Sequence, residues 1–124
     1  METQSINAIS FYKEVVTTAN IWTVLVDKSV PTFKDKDGQS IFYVWSSRYR
    51  VTRIIERKEM FESCTPLEIP WMLFEKKWIP DLAKNETAFS LNWSGNNNPI
   101  WEESAGEFAS NMESHIQKHR KKNS

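Results

Sequence analysis

The stretch from Thr65 to Trp93, TPLEIPWMLFEKKWIPDLAKNETAFSLNW, holds the densest apolar face and the clearest punctuation in the chain, and it sets the expected fold class. It reads as a proline-bounded helix, a turn and then a strand. Trp71, Phe74, Trp78 and Leu82 recur at three- and four-residue steps, which places them on one side of a helix, with Glu75, Lys76 and Lys77 largely opposite. Pro66 and Pro70 bracket a short extended segment before it, because each disfavours helix in the preceding residue. Pro80 lacks a backbone donor, so the helix is expected to break or tighten near Ile79. Ala88 to Trp93 then alternates, with Ala88, Ser90 and Asn92 on one side and Phe89, Leu91 and Trp93 on the other, as in a half-buried strand.

The rest of the chain extends this α+β pattern in both directions. Upstream, Ser5 can cap a first helix whose apolar positions are Ile6, Ile9, Tyr12, Val16 and Ala19, with Asn20 as its stop. Ile21 to Asp27 is β-branched and aromatic and reads as a strand. The DKDG segment, Asp35 to Gly38, is a hairpin turn whose second arm is Ser40 to Trp45. Both faces of that arm are apolar, which marks an interior strand. Ser46 or Ser47 caps a second helix running to about Lys58, with Tyr49, Ile54 and Ile55 inward and Arg50, Arg53 and Arg57 on the opposite stripe. Downstream, SGNNNP is a loop. Ser104 and Glu107 form a capping box that opens a last helix with Ala105, Phe108, Ala109, Met112 and Ile116 inward. Beyond it HRKKNS is expected to fray.

Composition limits what such a chain can be. Its 124 residues suit one domain, taken as residues 1–117 with a basic tail at 118–124, and a core of this size forms without disulfides or metal. The 16 basic and 16 acidic residues cancel, so any attraction to nucleic acid or an anionic membrane must be local. Cys64 is the only cysteine, which excludes an internal disulfide and suits a reducing compartment. METQSINAIS has no signal-peptide character and no run approaches a membrane span, so the expected location is cytoplasmic.

Three segments carry a family resemblance: WSSRY (Trp45–Tyr49), PLEIPWMLFEKKWIPDL (Pro66–Leu82) and LNW (Leu91–Trp93). Together they resemble a small bacterial family known as domain of unknown function 2750, from the first helix to the last. The strongest part is an isoleucine-proline step, a helix ending in tryptophan, an apolar residue and proline, and then a strand. What the resemblance implies is a size, an element order and a bacterial origin, with no catalytic residues to carry over. The family often ends in an acidic helix, whereas this chain ends in a basic one.

Few side chains suggest chemistry. Of the six tryptophans, Trp22, Trp45, Trp71, Trp78 and Trp93 fall on apolar faces and are expected in the core. Trp101 follows Asn96, Asn97, Asn98 and Pro99 in a loop and is the candidate interface anchor, with Asn97 beside it. Arg50, Arg53 and Arg57 could grip phosphate or carboxylate bidentately, although Glu56, Glu59 and Glu62 lie close by in sequence. Lys118, Arg120, Lys121 and Lys122 complement the last helix dipole, which is a sufficient structural reason for them. His115 and His119 have a metal-ligand spacing but no third ligand. Cys64 has no activating neighbour. The pairs Asp35 with Asp37 and Glu102 with Glu103 show no reason for a raised pKa.

These features lead to an α+β domain: a small, mainly antiparallel sheet of three or four strands packed with about four helices. The expected function is a non-catalytic cytosolic protein-interaction module, of which a bacterial immunity protein would be one example. It would bind another protein through Trp101, Asn97 and the stripe of Arg50, Arg53 and Arg57, without cofactor, metal or membrane. A two-fold homodimer is compatible with the neutral, Trp-rich surface. The alternatives are nucleic-acid or phosphate-ligand binding through the arginine stripe and basic tail, and an enzyme built on Cys64.

Overall fold

A computed structural model describes residues 6–95 and 101–122. Helix α1 (Ile6–Thr18) leads into β1 (Asn20–Leu25), and β2 (Phe33–Lys34) and β3 (Ser40–Val44) form the hairpin. Helix α2 (Arg48–Arg57) and a 3₁₀ turn (Glu59–Phe61) precede β4 (Thr65–Pro70). Next, α3 (Trp71–Leu73), a π turn (Phe74–Trp78) and α4 (Ile79–Lys84) run on as one rod, followed by β5 (Ala88–Leu91), β6 (Glu102–Glu103) and α5 (Ala105–Lys122). Among the described residues, four helical rods and two sheets make an α+β fold.

The sheets are ordered β4–β1 and β2–β3–β5–β6, and every pair is antiparallel except β3 with β5. They meet at one bridge, where Trp22 and Trp45 exchange backbone hydrogen bonds of 2.8 Å in both directions. Thr23 reinforces the seam by donating its hydroxyl to the Tyr43 carbonyl at 2.8 Å. Alternation along β3 then divides the core into two layers. Phe42 and Val44 point into a cluster with Phe11, Phe74, Phe89 and Phe108, covered by α1, α5 and the 71–84 rod. Ile41, Tyr43 and Trp45 point the other way, onto Val51, Ile54 and Phe61 from α2 and the 3₁₀ turn. Two-sided burial is why β3 carries apolar residues at every position.

Local signals hold at several places. Ser47 accepts from the Arg50 amide and caps α2. Ser104 and Glu107 make the reciprocal bonds of the capping box, at 3.1 and 2.7 Å. In the hairpin turn, Asp35 accepts from the amides of Asp37 and Gln39, while Gly38 takes φ 83°.

Elsewhere the structure corrects the sequence reading. Along α1 the buried stripe is Ala8, Phe11, Tyr12 and Val15, and Ile6 is 82% exposed. The helix is apolar on two sides, and periodicity does not say which one meets the sheet. It stops at Ala19, with φ 62°, one residue before Asn20, while its expected cap Ser5 lies outside the described residues. In α2, Val51 takes the buried place expected for Tyr49, which is 69% exposed. Around Pro80 the rod neither breaks nor tightens: it widens, with the Ile79 amide donating to the Phe74 carbonyl five residues back. A π turn shifts the carbonyl that a regular helix would press against the proline ring. Strand β5 is buried on both faces, because β3 and β6 flank it and helices cover it. Residues 118–122, read from sequence as the start of a tail, continue α5.

Candidate functional site

The exposed face of α2 carries the side chains most suited to recognition. Spacings of three and four residues bring Arg50, Arg53 and Arg57 to one side, where they line a groove of about 180 Å³ with Tyr49, Asn92 and Trp93. The opposite wall is the end of β5 and the chain after it. Gly95 allows that approach: its φ is 86°, and a Cβ there would stand 2.8 Å from Ile54 Cδ1.

A polar network fixes the floor. Asn92, nearly fully buried with φ 55°, accepts from the Ser46 amide at 2.9 Å and donates to Ser46 Oγ at 3.0 Å. Ser46 Oγ donates to Glu14 at 2.6 Å. Arg50 completes the chain with two bonds to the same carboxylate, Nε to Oε1 at 3.1 Å and Nη2 to Oε2 at 2.8 Å. The Arg50 guanidinium holds the Glu14 carboxyl below the usual range, against the opposing pull of burial. Glu14 comes from α1, 36 residues from Arg50 in sequence. The nearby acids Glu56, Glu59 and Glu62 make none of the ion pairs found among the described residues.

The three arginines therefore differ. Arg50 is neutralised and structural. Arg53 sits over the Tyr49 ring at 5.6 Å, and neither it nor Arg57 has a carboxylate within ion-pair reach among the described residues. Lys58, over Trp93 at 5.5 Å, adds a cation at the same end. The groove is aromatic and positive.

Trp101 lies elsewhere. Half-buried, it packs against the cluster on the other sheet face, and its Nε1 donates to Glu103 Oε2 at 2.7 Å. The other oxygen of Glu103, a buried carboxylate, accepts from the Tyr12 hydroxyl. Burial first, and then this bond, push the Tyr12 hydroxyl far above its ordinary pKa. Trp101 thus serves a buried carboxylate as well as the surface, and the structure does not bring it to the arginine groove. Asn97 lies outside the described residues.

Nothing in the sequence distinguished Glu103 from Glu102. Their strand alternation sends one inward and leaves the other at the surface, where burial and then Asp35 raise its carboxyl above the ordinary range. The remaining candidates offer less chemistry. Burial pushes the Cys64 thiol up, away from the reactive thiolate. His115 stacks on Tyr12, with ring centroids 4.8 Å apart and planes within 7°. Among the described residues no three His, Cys, Asp or Glu side chains form a group that could hold a metal ion. No described helix is long and apolar enough to cross a membrane.

Fold and groove together define a small α+β domain with a cationic, aromatic groove on one helix face. The chain belongs to the family described as protein of unknown function, DUF2750, whose profile matches residues 8–112. No curated protein matches it.

Proposed function

We propose that this chain is a non-catalytic protein-binding module of the bacterial cytoplasm, and that the α2 groove receives an acidic segment of its partner. One observation carries the reading: Arg53 and Arg57 line a formed groove without carboxylate partners among the described residues, while Arg50 in the same wall is already neutralised by Glu14. Guanidinium groups with no carboxylate partner among the described residues, beside exposed Tyr49, supply bidentate carboxylate recognition and an aromatic anchor, the side-chain types enriched at interface hot spots. The groove's volume of about 180 Å³ suits side chains from a partner surface and is small beside the roughly 300–1,000 Å³ usual for small-molecule sites. Zero net charge favours this local contact over a nucleic-acid tract. A single buried thiol supports the reducing compartment, and the family resemblance supports the bacterial origin.

The test is affinity capture from a bacterial lysate with nuclease treatment, using the native chain and an Arg53→Glu, Arg57→Glu variant. The native chain should enrich one nuclease-resistant protein that the variant loses. Reversing acidic residues of that partner to lysine should restore binding to the variant. Recovery of nucleic acid alone, or equal capture by the variant, would refute the proposal. Trp101→Ala is unsuitable as a control because it also strips a donor from Glu103.

A further inference from the structure

A second groove, of about 680 Å³, runs between α1 and α5. Lys13 enters it from α1, and His115, Lys118 and Lys122 from α5, while Ile9 and Val16 supply an apolar wall. Among the described residues no carboxylate lines it. Dipole complementarity accounts for lysines near the end of α5, but not for Lys13, which lies within α1 and faces them from another helix. Like charges converging on one groove repel, and an anion between them removes that cost. Ile9 and Val16 are half-buried on α1 and leave apolar surface open to the groove. The groove therefore pairs an apolar strip with a cationic one.

We propose that this groove binds a small amphiphilic phosphate monoester, its head group among Lys13, His115 and Lys118 and its apolar body along Ile9 and Val16. A monoester carries nearly two negative charges at neutral pH and three acceptor oxygens, which suits two lysines and an imidazole better than a single carboxylate would. His115 is preset for the contact, since its ring rests on Tyr12, whose hydroxyl is tied to buried Glu103. Burial, then Lys118 and Lys13, hold the imidazole below its ordinary pKa of 6.5, and Glu103 pulls weakly the other way. Stacked on neutral Tyr12, the ring has its charge set by burial, Lys13 from α1, Lys118 from α5 and Glu103 from β6. An anion beside it stabilises the protonated form, so binding and protonation reinforce each other.

The experiment is an NMR titration of the His115 ring in the full chain, alone and with hexyl phosphate, inorganic phosphate or hexanol. Hexyl phosphate should raise the pKa of His115, shift the Ile9 and Val16 methyl signals, and bind at least about tenfold tighter than inorganic phosphate through its buried methylenes. A Lys13→Gln, Lys118→Gln variant should melt no lower than the native chain and lose at least about tenfold in affinity, the worth of one charge-assisted contact. An unmoved His115, equal binding by the variant, or an equal response to hexanol would overturn the proposal. So would binding to phosphatidylglycerol vesicles without any response to hexyl phosphate, which would make the groove a membrane contact.

Discussion

Side chains with the same name do different work here because of what stands opposite them. Arg50 meets Glu14, whereas Arg53 meets an exposed ring and no carboxylate among the described residues. The Glu14 carboxyl is depressed below its ordinary 4.5, so its stabilisation is complete above 4.5 and is lost as pH falls through the folded value. The Arg50→Ala variant should be less stable than the native chain at neutral pH, with the gap closing in urea titrations repeated below pH 4.5. Both partners are about a third exposed, so the gap should stay under about 1 kcal/mol. A gap independent of pH would show that Arg50 acts through packing alone. Glu103 illustrates the opposite environment, a carboxylate kept buried because a phenol and an indole both donate to it.

Among the elements, the ends of helices are under the most local control and their faces the least. Ser47, Ser104 and Glu107 act as caps through contacts within four residues, which a sequence motif contains in full. The end of α1 is different. Ala19 adopts φ 62° because the chain must turn straight into β1, where its carbonyl accepts from the Trp71 amide. A left-handed conformation costs an L-residue roughly 1–2 kcal/mol that glycine avoids, less the entropy glycine adds to the unfolded chain. Ala19→Gly should therefore raise stability by about 0.5–1 kcal/mol in chemical denaturation. A loss would mean that the Ala19 methyl packs favourably. The π turn at Phe74–Trp78 belongs to this scale too: Pro80 is visible in the sequence, but the choice between breaking and widening is not, and the widened rod leaves Phe74 and Leu82 both buried.

Across the whole molecule, Trp45 joins what would otherwise be separate parts. Its backbone bridges the two sheets, its ring lies in the α2 cluster, and its Nε1 donates to the Trp93 carbonyl at 2.8 Å. Replacing it with alanine opens a cavity and severs that bond, and should cost about 3–5 kcal/mol. Calorimetry and circular dichroism should both report a single transition at a lower temperature, because the layers share the sheet. Two separated transitions would show that the layers fold independently. The two grooves lie on different helices, one on α2 and one between α1 and α5, so a phosphate ligand and a protein partner can be assayed separately.

Local pattern alone carries the α+β class, the interior place of β3, the hairpin turn, the Ser104 cap and the helical spacing of the arginines, and it narrows the cap of α2 to Ser46 or Ser47. Each rests on contacts within a few residues or on a strict period. Packing settles which side of α1 meets the sheet, that β3 and β5 run parallel, that Tyr49 faces outward, and that Glu14 neutralises Arg50 within the groove wall. It also turned Trp101 to Glu103, so the sequence-read site divides into a positive groove on α2 and a buried carboxylate on the other sheet face. These outcomes depend on pairs such as Glu14 with Arg50 and Tyr12 with Glu103, 36 and 91 residues apart. No local pattern encodes such pairs, because their energy exists only once the layers have packed and water has left.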